Sequence, residues 1–400
     1  MRVLLLNLYF PPDTSATAKM AFSMVEPLSQ RHSVTVLCGR PSYDPTERRP
    51  WRFSQSETLG HLKIIRVGST DYPRIQMKRR VLNYLSYVAL AVPRALFIPC
   101  DVILGMTDPP FQGIVGAFVA MLKRKPYVYN IRDLYPDMAL GGSLMKPGWL
   151  ARVWEKLHRW ALRRTDCVIV LGDDMRARII AKGVDAAQVT VVRDGAEIPT
   201  AEPPVDNEVV RKIRGDARFV LVHAGNLGFY GAWNTLLAAA KELQRDGVRL
   251  VFVGEGAQSQ QIAAAAKEIS NVVFLPFFAS SKIPSVLAAA DMHVITVRRG
   301  LEGVVVPSKM YGILVAGKPV LAVAPSETDA ASLGTRQGFA LSCDPDRPEE
   351  VVATVRQVQA NPARLAAMGR AARAAAADYD RAGEAQKFEQ ILTHIANTRE

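Results

Sequence analysis

The sequence predicts an α/β protein with two doubly wound domains, each built on a largely parallel sheet. Two observations support this fold class. Short apolar runs alternate with helical patterns along the whole chain, and near-continuous apolar strands separated by helices are typical of parallel sheets covered on both faces. In addition, 400 residues exceed the size of one ordinary domain.

Strands are predicted wherever a short apolar run is rich in β-branched residues. In the first half they fall at 3–8, 34–38, 64–67, 102–104, 127–131, 168–171 and 189–192. In the second half they fall at 219–223, 250–253, 272–275, 293–297 and 320–323. Helical spacing of apolar residues predicts helices at 17–30, 150–164, 233–244, 258–269, 283–290, 309–316 and 348–359.

The domain boundaries follow from a break in this rhythm. Three prolines and the absence of periodicity mark a linker at 197–208. The sequence therefore predicts an N-terminal domain at 1–196, a C-terminal domain at 209–380, and a final helix at 381–400 that packs back on the N-terminal domain. Open α/β sheets bind ligands beyond the carboxyl ends of their strands, so we expect a central cleft between the two domains to hold the site.

The positive charge lies in one half of the chain. The net charge is +12, of which residues 1–200 carry +11 and residues 201–400 carry +1. We therefore expect the first half to face an anionic partner. Nucleic acid is a poor fit, because the sequence contains no zinc finger, recognition-helix pattern or RNA-binding aromatic motif.

Other sequence features exclude several classes of protein. The four cysteines are far apart and form no CxxC pair, so we expect reduced packing residues in a cytosolic chain. The six histidines form neither HxxxH nor HExxH, and we predict no metal site and no cofactor. No stretch has the roughly 18 apolar residues that span a bilayer. The first apolar run is typical of a buried strand and not of a signal peptide.

The loop after the first predicted strand lacks the signature of a nicotinamide enzyme. Residues 9–18 contain no glycine, whereas a dinucleotide site needs GxGxxG at this place, and the chain has no Walker motif. Asp13, Thr14 and Ser15 then have two compatible interpretations. They form the N-cap of the first helix, or they form a loop that faces the cleft, or both.

Glycine-rich loops follow two strands of the second half. The first contains Gly225, Asn226 and Gly228, and backbone N–H groups in such a turn can bind a phosphate. The second contains Gly254 and Glu255. Glycine turns between strands and helices are common, but two of them in one domain favour a nucleotide site. The residue His223, just before the first loop, is either a satisfied strand-end histidine or a cleft residue.

A third segment, 298–312, carries charged residues. After the end of a strand, a loop presents Glu302, and Pro307, Ser308 and Lys309 open a helix. Ser308 is a candidate N-cap. Lys309 at a helix N-terminus opposes the helix dipole, and a bound anion would reverse that penalty. The ordinary alternative is a solvated turn.

In combination, these segments resemble family 4 retaining glycosyltransferases of the GT-B type, in particular the fucosamine-type transferases of bacterial O-antigen, capsule and exopolysaccharide assembly. The resemblance covers most of the chain, and the motifs occur in family order. They are NLYFPPD (7–13), SVTVLCGRPSY (33–43), DVIL (101–104), RDLYPD (132–137), AGNLG (224–228), VGEG (253–256), LEGVVVPSKMYG (301–312) and AGKPV (316–320).

The resemblance implies that the C-terminal domain binds a nucleotide-sugar, with UDP as the usual nucleotide and GDP as the alternative. It implies that the N-terminal domain binds the acceptor and that the reaction retains configuration without a covalent intermediate. The implied donor-binding residues are Gly225, Asn226, Gly228, Gly254, Glu255, Pro307, Ser308 and Lys309, with Glu302 at the donor sugar. The implied acceptor-side residues are Asp13, Thr14, Arg132 and Asp133.

The chain departs from the family pattern twice in the donor site. The family's pair of glutamates eight residues apart would fall at Val304 and Gly312, and only Glu302 is nearby. The arginine and lysine of the family's phosphate loop have no clear match in 226–231. Lys309 is the candidate for the missing cation.

Three clusters carry the basic excess, at 74–80, 123–125 and 149–164. In the last, Trp and Leu mix with Arg and Lys at helical spacing, which suits a helix on an anionic lipid surface. A core-packing helix with a solvated face is the alternative. The predicted membrane-facing residues are Lys78, Arg79, Arg80, Trp149, Arg152 and Trp160.

We expect an enzyme that moves a sugar from a nucleotide-diphosphate donor to a polyprenyl-diphosphate-linked glycan, as a peripheral protein on the cytoplasmic side of the cell membrane. The predicted catalytic residues are Asp133, Glu302 and Lys309. Lys309 is included because the leaving diphosphate needs cations and N–H donors. Asp133 or Asp13 is expected to orient the acceptor. Two alternatives stay open: a cytosolic transferase with a soluble small-molecule acceptor, and a non-catalytic protein that binds a nucleotide-sugar.

Overall fold

The computed structural model describes residues 1–42, 50–72, 77–142 and 144–398, and the chain divides into two compact units. Unit 1 comprises Met1–Leu171, Arg176–Val192 and Ala385–Glu400, whereas unit 2 comprises Gly172–Met175 and Arg193–Glu384. Each unit is built on a parallel sheet, so the predicted α/β class is confirmed. The predicted linker at 197–208 does not mark the division, since unit 2 already begins at Arg193.

Each unit has one sheet among the described residues. The strands of unit 1 are β1 (Arg2–Leu6), β2 (Ser33–Gly39), β3 (Ser54–Leu59), β4 (Leu62–Val67), β5 (Val102–Gly105), β6 (Tyr127–Asn130), β7 (Cys167–Val170) and β8 (Val189–Val191). The strands of unit 2 are β9 (Phe219–Ala224), β10 (Val248–Val253), β11 (Val272–Leu275), β12 (Met292–Thr296), β13 (Val320–Val323) and β14 (Ala340–Cys343).

Helices connect the strands. Unit 1 contains α1 (Ala16–Ser29), α2 (Met77–Leu96), α3 (Gln112–Lys123), α4 (Asp137–Gly141) and α5 (Trp149–Leu162), and α6 (Asp173–Ala181) enters it from unit 2. Unit 2 contains α7 (Asn207–Arg214), α8 (Trp233–Glu242), α9 (Ser259–Glu268), α10 (Ile283–Ala289), α11 (Lys309–Val315), α12 (Asp329–Arg336), α13 (Pro348–Gln359) and α14 (Pro362–Ala375). The last helix, α15 (Arg381–Asn397), runs from unit 2 into unit 1.

The sheet of unit 1 has the order β3-β4-β2-β1-β5-β6-β7-β8, and only β3 runs antiparallel to its neighbour. Its central strands are apolar on both faces because helices cover both faces. On one face, Val25 and Leu28 of α1 and Phe388 and Leu392 of α15 pack into the core. The C-terminal helix therefore completes the core of unit 1. Elsewhere on this sheet, α3 contacts both α2 and α5.

The sheet of unit 2 has the order β11-β10-β9-β12-β13-β14, and all its pairs are parallel. The helices α8 and α13 pack on it through the buried side chains of Trp233, Leu236 and Val355, which join Phe252 of β10 in one cluster. A second cluster joins α7 and α10 to β9 and β10. Within the described ranges, no helix combines the length and the apolar character needed to cross a bilayer.

The sequence prediction misses two strands, and each miss has a physical reason. The strand β3 has the polar sequence SQSETL and lies at the edge of its sheet, where it pairs only with β4. An edge strand with exposed side chains does not need the apolar run that marks the central strands. The strand β14 has only four residues, ALSC, and also lies at an edge.

Candidate functional site

In unit 2 the chain reverses its direction of winding at β9. The strands β10 and β11 lie on one side of β9, and β12 lies on the other. The loops that follow β9 and β12 therefore leave the same edge of the sheet side by side, where doubly wound sheets bind ligands. We call these the glycine loop (225–231) and the long loop (298–308), and we call the loop after β10 the second loop (254–256).

Main-chain hydrogen bonds join the glycine loop to the second loop. The N–H of Gly225 donates to the carbonyl of Val253 at 2.8 Å. The N–H of Leu227 donates to the carbonyl of Glu255 at 2.9 Å. Gly254 has a φ of +145°, and a Cβ there would lie 1.9 Å from the carbonyl oxygen of Gly225. The N–H of Gly225 is thus used at the sheet edge, and the position of Gly225 near a donor phosphate stays a prediction.

Two aromatic side chains fix the carbonyls of the glycine loop. Trp233 Nε1 donates to the carbonyl of Gly228 at 2.7 Å, and the hydroxyl of Tyr230 donates to that of Asn226 at 2.6 Å. Gly228 is buried and Asn226 is exposed. The carbonyls of the loop are thus fixed by hydrogen bonds within the protein, which reduces the entropy lost when a ligand binds.

Lys309 lies beneath the glycine loop. It is the first residue of α11, and its Nζ lies 2.8 Å from Nε2 of His223 in β9. A Cβ on Gly225, where φ is +136°, would lie 3.1 Å from the same Nζ. Because Gly225 has no Cβ, the amine of Lys309 has space beside it. The structure brings the predicted cation of the donor site to the predicted glycine loop.

Burial changes the protonation of this lysine and histidine. It lowers the pKa of Lys309 from 10.5 to about 7. Burial first, and then the charge of Lys309, lower the pKa of His223 well below its usual 6.5. The Nδ1 atom of His223 lies 3.1 Å from the carbonyl oxygen of Val294. A carbonyl oxygen only accepts, so Nδ1 carries the proton of the neutral ring and Nε2 accepts from Lys309.

Glu302 lies on the long loop and is partly buried. Its Oε1 accepts from the N–H of Gly300 at 2.8 Å. The next residue, Gly303, donates its N–H to Oδ2 of Asp174 at 3.3 Å. Burial first, and then the charge of Asp329, raise the pKa of Asp174 to about 6. Asp174 thus anchors the turn that carries Glu302, and no motif in the sequence connects these distant positions.

The remaining predicted donor residues surround the same edge of the sheet. Pro307 is partly buried, whereas Ser308 and Glu255 are exposed. Ser308 lies at the predicted N-cap position of α11, but its side chain makes no capping hydrogen bond there. Gly312, where the family pattern places a glutamate, lies inside α11.

Unit 1 has its own reversal of winding, at β1, which lies between β2 and β5. Asp13 follows β1 and is buried, and its Oδ1 accepts from the N–H of Ser42 at 3.0 Å. The N-cap of α1 is Ser15, whose Oγ accepts from the N–H of Ala18 at 3.0 Å. Thr14 is exposed. Asp13 therefore joins two loops at the carboxyl edge of this sheet.

Arg132 and Asp133 lie at the same edge, because they follow β6, the neighbour of β5. Both are partly buried. Burial raises the pKa of Tyr129 and of Tyr135, and the charge of Asp133 adds to this rise at both phenols. The carboxylate of Asp133 thus lies close to two aromatic side chains, a combination that suits the recognition of a polar ring.

Arg80 departs from the position that the sequence predicts for it. It is partly buried, and its guanidinium carbon lies 5.5 Å from the centre of the Tyr84 ring. The guanidinium also donates a hydrogen bond to the hydroxyl of Tyr9, in the loop after β1. These contacts turn Arg80 toward the carboxyl edge of the sheet. A run of basic residues does not reveal which of its members folds inward.

The other predicted membrane-facing residues lie on α2 and α5. Arg79 and Arg152 are exposed, Trp149 is 67% exposed, and Trp160 is partly buried under the guanidinium of Arg164. Residues 74–76 and the side chain of Lys78 lie outside the described part of the chain. The apolar residues beside Trp149 on α5 are also exposed: Leu150 (58%), Val153 (47%) and Leu157 (46%). Core packing does not account for this apolar side of α5.

Two family models match successive parts of the chain. The glycosyl transferase 4-like domain matches residues 16–195, and the model of glycosyl transferases group 1 matches residues 218–361. Together the two matches span about four fifths of the chain. The chain belongs to the family 4 glycosyltransferases, enzymes that transfer sugars from nucleotide-sugar donors.

Individual proteins agree with this assignment. The chain is 25% identical over 381 residues to the colanic acid biosynthesis glycosyl transferase WcaI of Escherichia coli strain K12, which covers 89% of this chain and 92% of WcaI. It is 24% identical over 258 residues to the glycosyltransferase WbjE of Pseudomonas aeruginosa, 62% of this chain and 63% of WbjE. Its fold matches Anabaena HepE in complex with UDP with a TM-score of 0.69 at 17% identity, over 98% of this chain and 100% of HepE. The fold is of the predicted GT-B type.

The substitution Gly254→Ala tests the close approach of the two glycine-containing loops. Its methyl group would lie 1.9 Å from the carbonyl oxygen of Gly225, at a φ of +145°. We expect the free energy of unfolding to fall by about 1–3 kcal/mol and the melting temperature of unit 2 to decrease. Gly312→Ala is the matched control, because its Cβ would lie 3.9 Å from Leu287 and alanine favours a helix. Equal melting temperatures of Gly254→Ala and the wild type would contradict the close approach.

Proposed function

We propose that this protein transfers a sugar, of the amino-deoxy type, from a UDP-sugar to a polyprenyl-diphosphate-linked glycan during synthesis of a bacterial surface polysaccharide. The observation that carries the proposal is the position of the Lys309 amine beneath Gly225 at the ligand-binding edge of unit 2. A lysine amine and an ordered glycine loop at this edge suit the diphosphate of a nucleotide-sugar. Two comparisons support the choice: HepE forms a complex with UDP, and WcaI is named for colanic acid biosynthesis.

The residues of the donor site have separate tasks in this proposal. Lys309 neutralises the charge that develops on the leaving diphosphate, which is the largest electrostatic demand of the reaction. Glu302 accepts hydrogen bonds from hydroxyl groups of the donor sugar, while Asp174 keeps the turn of Glu302 in place. The order of the glycine loop before ligand binding helps to hold the donor in a reactive position.

The acceptor is positioned by the carboxyl edge of unit 1. Asp133, beside Tyr129 and Tyr135, orients the acceptor hydroxyl, and Asp13 supports the neighbouring loop. The acceptor oxygen forms the new bond to the anomeric carbon on the face that the diphosphate leaves. The proton of the hydroxyl passes to the departing phosphate oxygen, so that configuration is retained without a covalent enzyme intermediate.

The substitution Lys309→Met tests the assignment of the donor site. A thermal-shift panel first identifies the nucleotide, since a ligand of the folded state raises the melting temperature, and we expect UDP to raise it more than GDP. Sugar transfer from the matching nucleotide-sugar should then fall about 100-fold or more in Lys309→Met, because an electrostatic contact to the leaving group is lost. Lys267→Met, at an exposed position of α9, is the control and should keep the wild-type rate. Equal rates in both variants would refute this donor site.

The acceptor proposal also requires contact with a membrane, and the exposed apolar residues of unit 1 support this contact. They lie on α2, α3 and α5, of which α3 contacts both of the others. On α2 they include Leu82 (48%) and Leu85 (53%), and on α3 they include Leu122 (50%). The basic cluster 123–125 follows directly after Leu122. Apolar side chains with flanking cations are what binding to an anionic lipid surface requires.

Flotation with vesicles tests this membrane surface. We expect the wild type to float with vesicles that contain phosphatidylglycerol, and the double substitution Trp149→Ser/Leu150→Ser to reduce the bound fraction several-fold because apolar area is lost. Phe277→Ser removes a side chain that is 53% exposed in unit 2, and it should leave flotation unchanged. A wild type that does not float would favour the soluble acceptor.

A further inference from the structure

The amine of Lys309 has an unusual partner. Lys309 is partly buried, and lysines that are withdrawn from water are normally paired with a carboxylate. The Nζ atom of Lys309 instead lies 2.8 Å from an imidazole nitrogen of His223. Burial is the cause that lowers its pKa to about 7, and among the described residues no carboxylate opposes this effect.

Main-chain carbonyls hold the ring of His223, and its Nε2 faces this amine. Its Nδ1 donates to the carbonyl of Val294 at 3.1 Å, which leaves the lone pair at Nε2. The ring is fully buried, and Trp233 meets it at nearly a right angle with 4.8 Å between the ring centroids. A neutral imidazole offers the amine a hydrogen-bond acceptor but no counter-charge. A carboxylate in its place would keep the lysine charged at all times.

The charged and titratable groups around this pair come from few elements. His293 of β12 is fully buried, and burial lowers its pKa to about 4, so this ring is also neutral. Lys318 acts on His293, and its amine donates to the carbonyls of Ala288 and Ala290 at 2.8 Å. The two histidines and Lys318 therefore supply no negative charge to Lys309.

We propose that His223 is a positioning residue that holds the Lys309 amine beneath the glycine loop in a setting where the amine readily loses its proton, and that binding of the donor diphosphate holds one proton on this amine. The inference rests on the proposed donor site. Burying an uncharged amine costs less desolvation free energy than burying an ammonium group. The phosphates of the donor then stabilise the protonated form. The proton comes from solvent and returns to solvent when the nucleotide leaves.

Donor binding consequently weakens as the pH rises. Below about pH 7 the amine already carries its proton. Above about pH 7 the protein must take up one proton onto this amine for each donor that binds. The Kd of a nucleotide-sugar should therefore rise about tenfold between about pH 6 and about pH 8. UDP-glucose is a suitable probe, because both of its phosphates are diesters and do not titrate in this range.

The test combines two measurements on the full chain. The first follows the carbon-13 shifts of the lysine Cε groups against pH in the ligand-free protein, and Lys309→Met identifies the signal of Lys309. The second measures the Kd of UDP-glucose by calorimetry in buffers with different heats of ionisation, which counts the protons taken up. We expect a titration midpoint near pH 7 and uptake of nearly one proton above it.

Two substitutions of His223 separate positioning from a structural role. His223→Leu removes the acceptor of the protonated amine, so the midpoint of the Lys309 titration and of UDP-glucose binding should move to lower pH. His223→Gln keeps an acceptor oxygen, so its midpoint should stay near that of the wild type. A residue with a merely structural role would lower the melting temperature in both variants without moving the midpoint of either.

Each contrary result has a distinct meaning. A Lys309 midpoint near the usual 10.5 in the ligand-free protein would overturn the inference. Binding of UDP-glucose without proton uptake, or an unchanged midpoint in His223→Leu, would also overturn it. Absence of UDP-glucose binding at every pH would overturn the proposed donor, and the lysine titration would still decide the state of the amine.

Discussion

The packing of main chain around one lysine amine is the constraint on which the proposed donor site depends. Gly225 leaves space for Nζ of Lys309, and Gly254 leaves space for the carbonyl of Gly225. His223 lies directly below, and Trp233 touches both its ring and the glycine loop. A side chain at either glycine would force these parts away from one another. The loops are therefore arranged around the amine before a donor arrives.

The two halves of the sequence carry very different net charges. Residues 201–400 carry a net charge of only +1, yet their candidate site contains a lysine amine at the end of a parallel sheet. A partly buried cation interacts more strongly with a bound anion than an exposed cation does, so one can be sufficient. Residues 1–200 carry +11, and much of this charge lies on or beside exposed helices. Exposed charges act weakly one by one and are effective as a surface, which suits an extended anionic partner.

The sequence predicts the fold class and most strands because central strands of a parallel sheet must be apolar on both faces. It also singles out Lys309, Gly225 and Gly254, which the structure brings close together, because a glycine directly after a strand points to a backbone conformation or a close approach that other residues do not allow. It does not predict the partners of these residues. The contact of His223 with Lys309, and that of Asp174 with Gly303, join positions far apart in the chain. Arg80 shows the same limit, because only packing decides which member of a basic run turns inward.

A crystal structure with bound UDP tests the central claim most directly. The account predicts that Nζ of Lys309 leaves the 2.8 Å contact with His223 or shares it, and lies about 3 Å from a phosphate oxygen. It also predicts that the glycine loop keeps its backbone, because its carbonyls are already held. A diphosphate bound away from Lys309, with the lysine still bonded only to His223, would contradict the account.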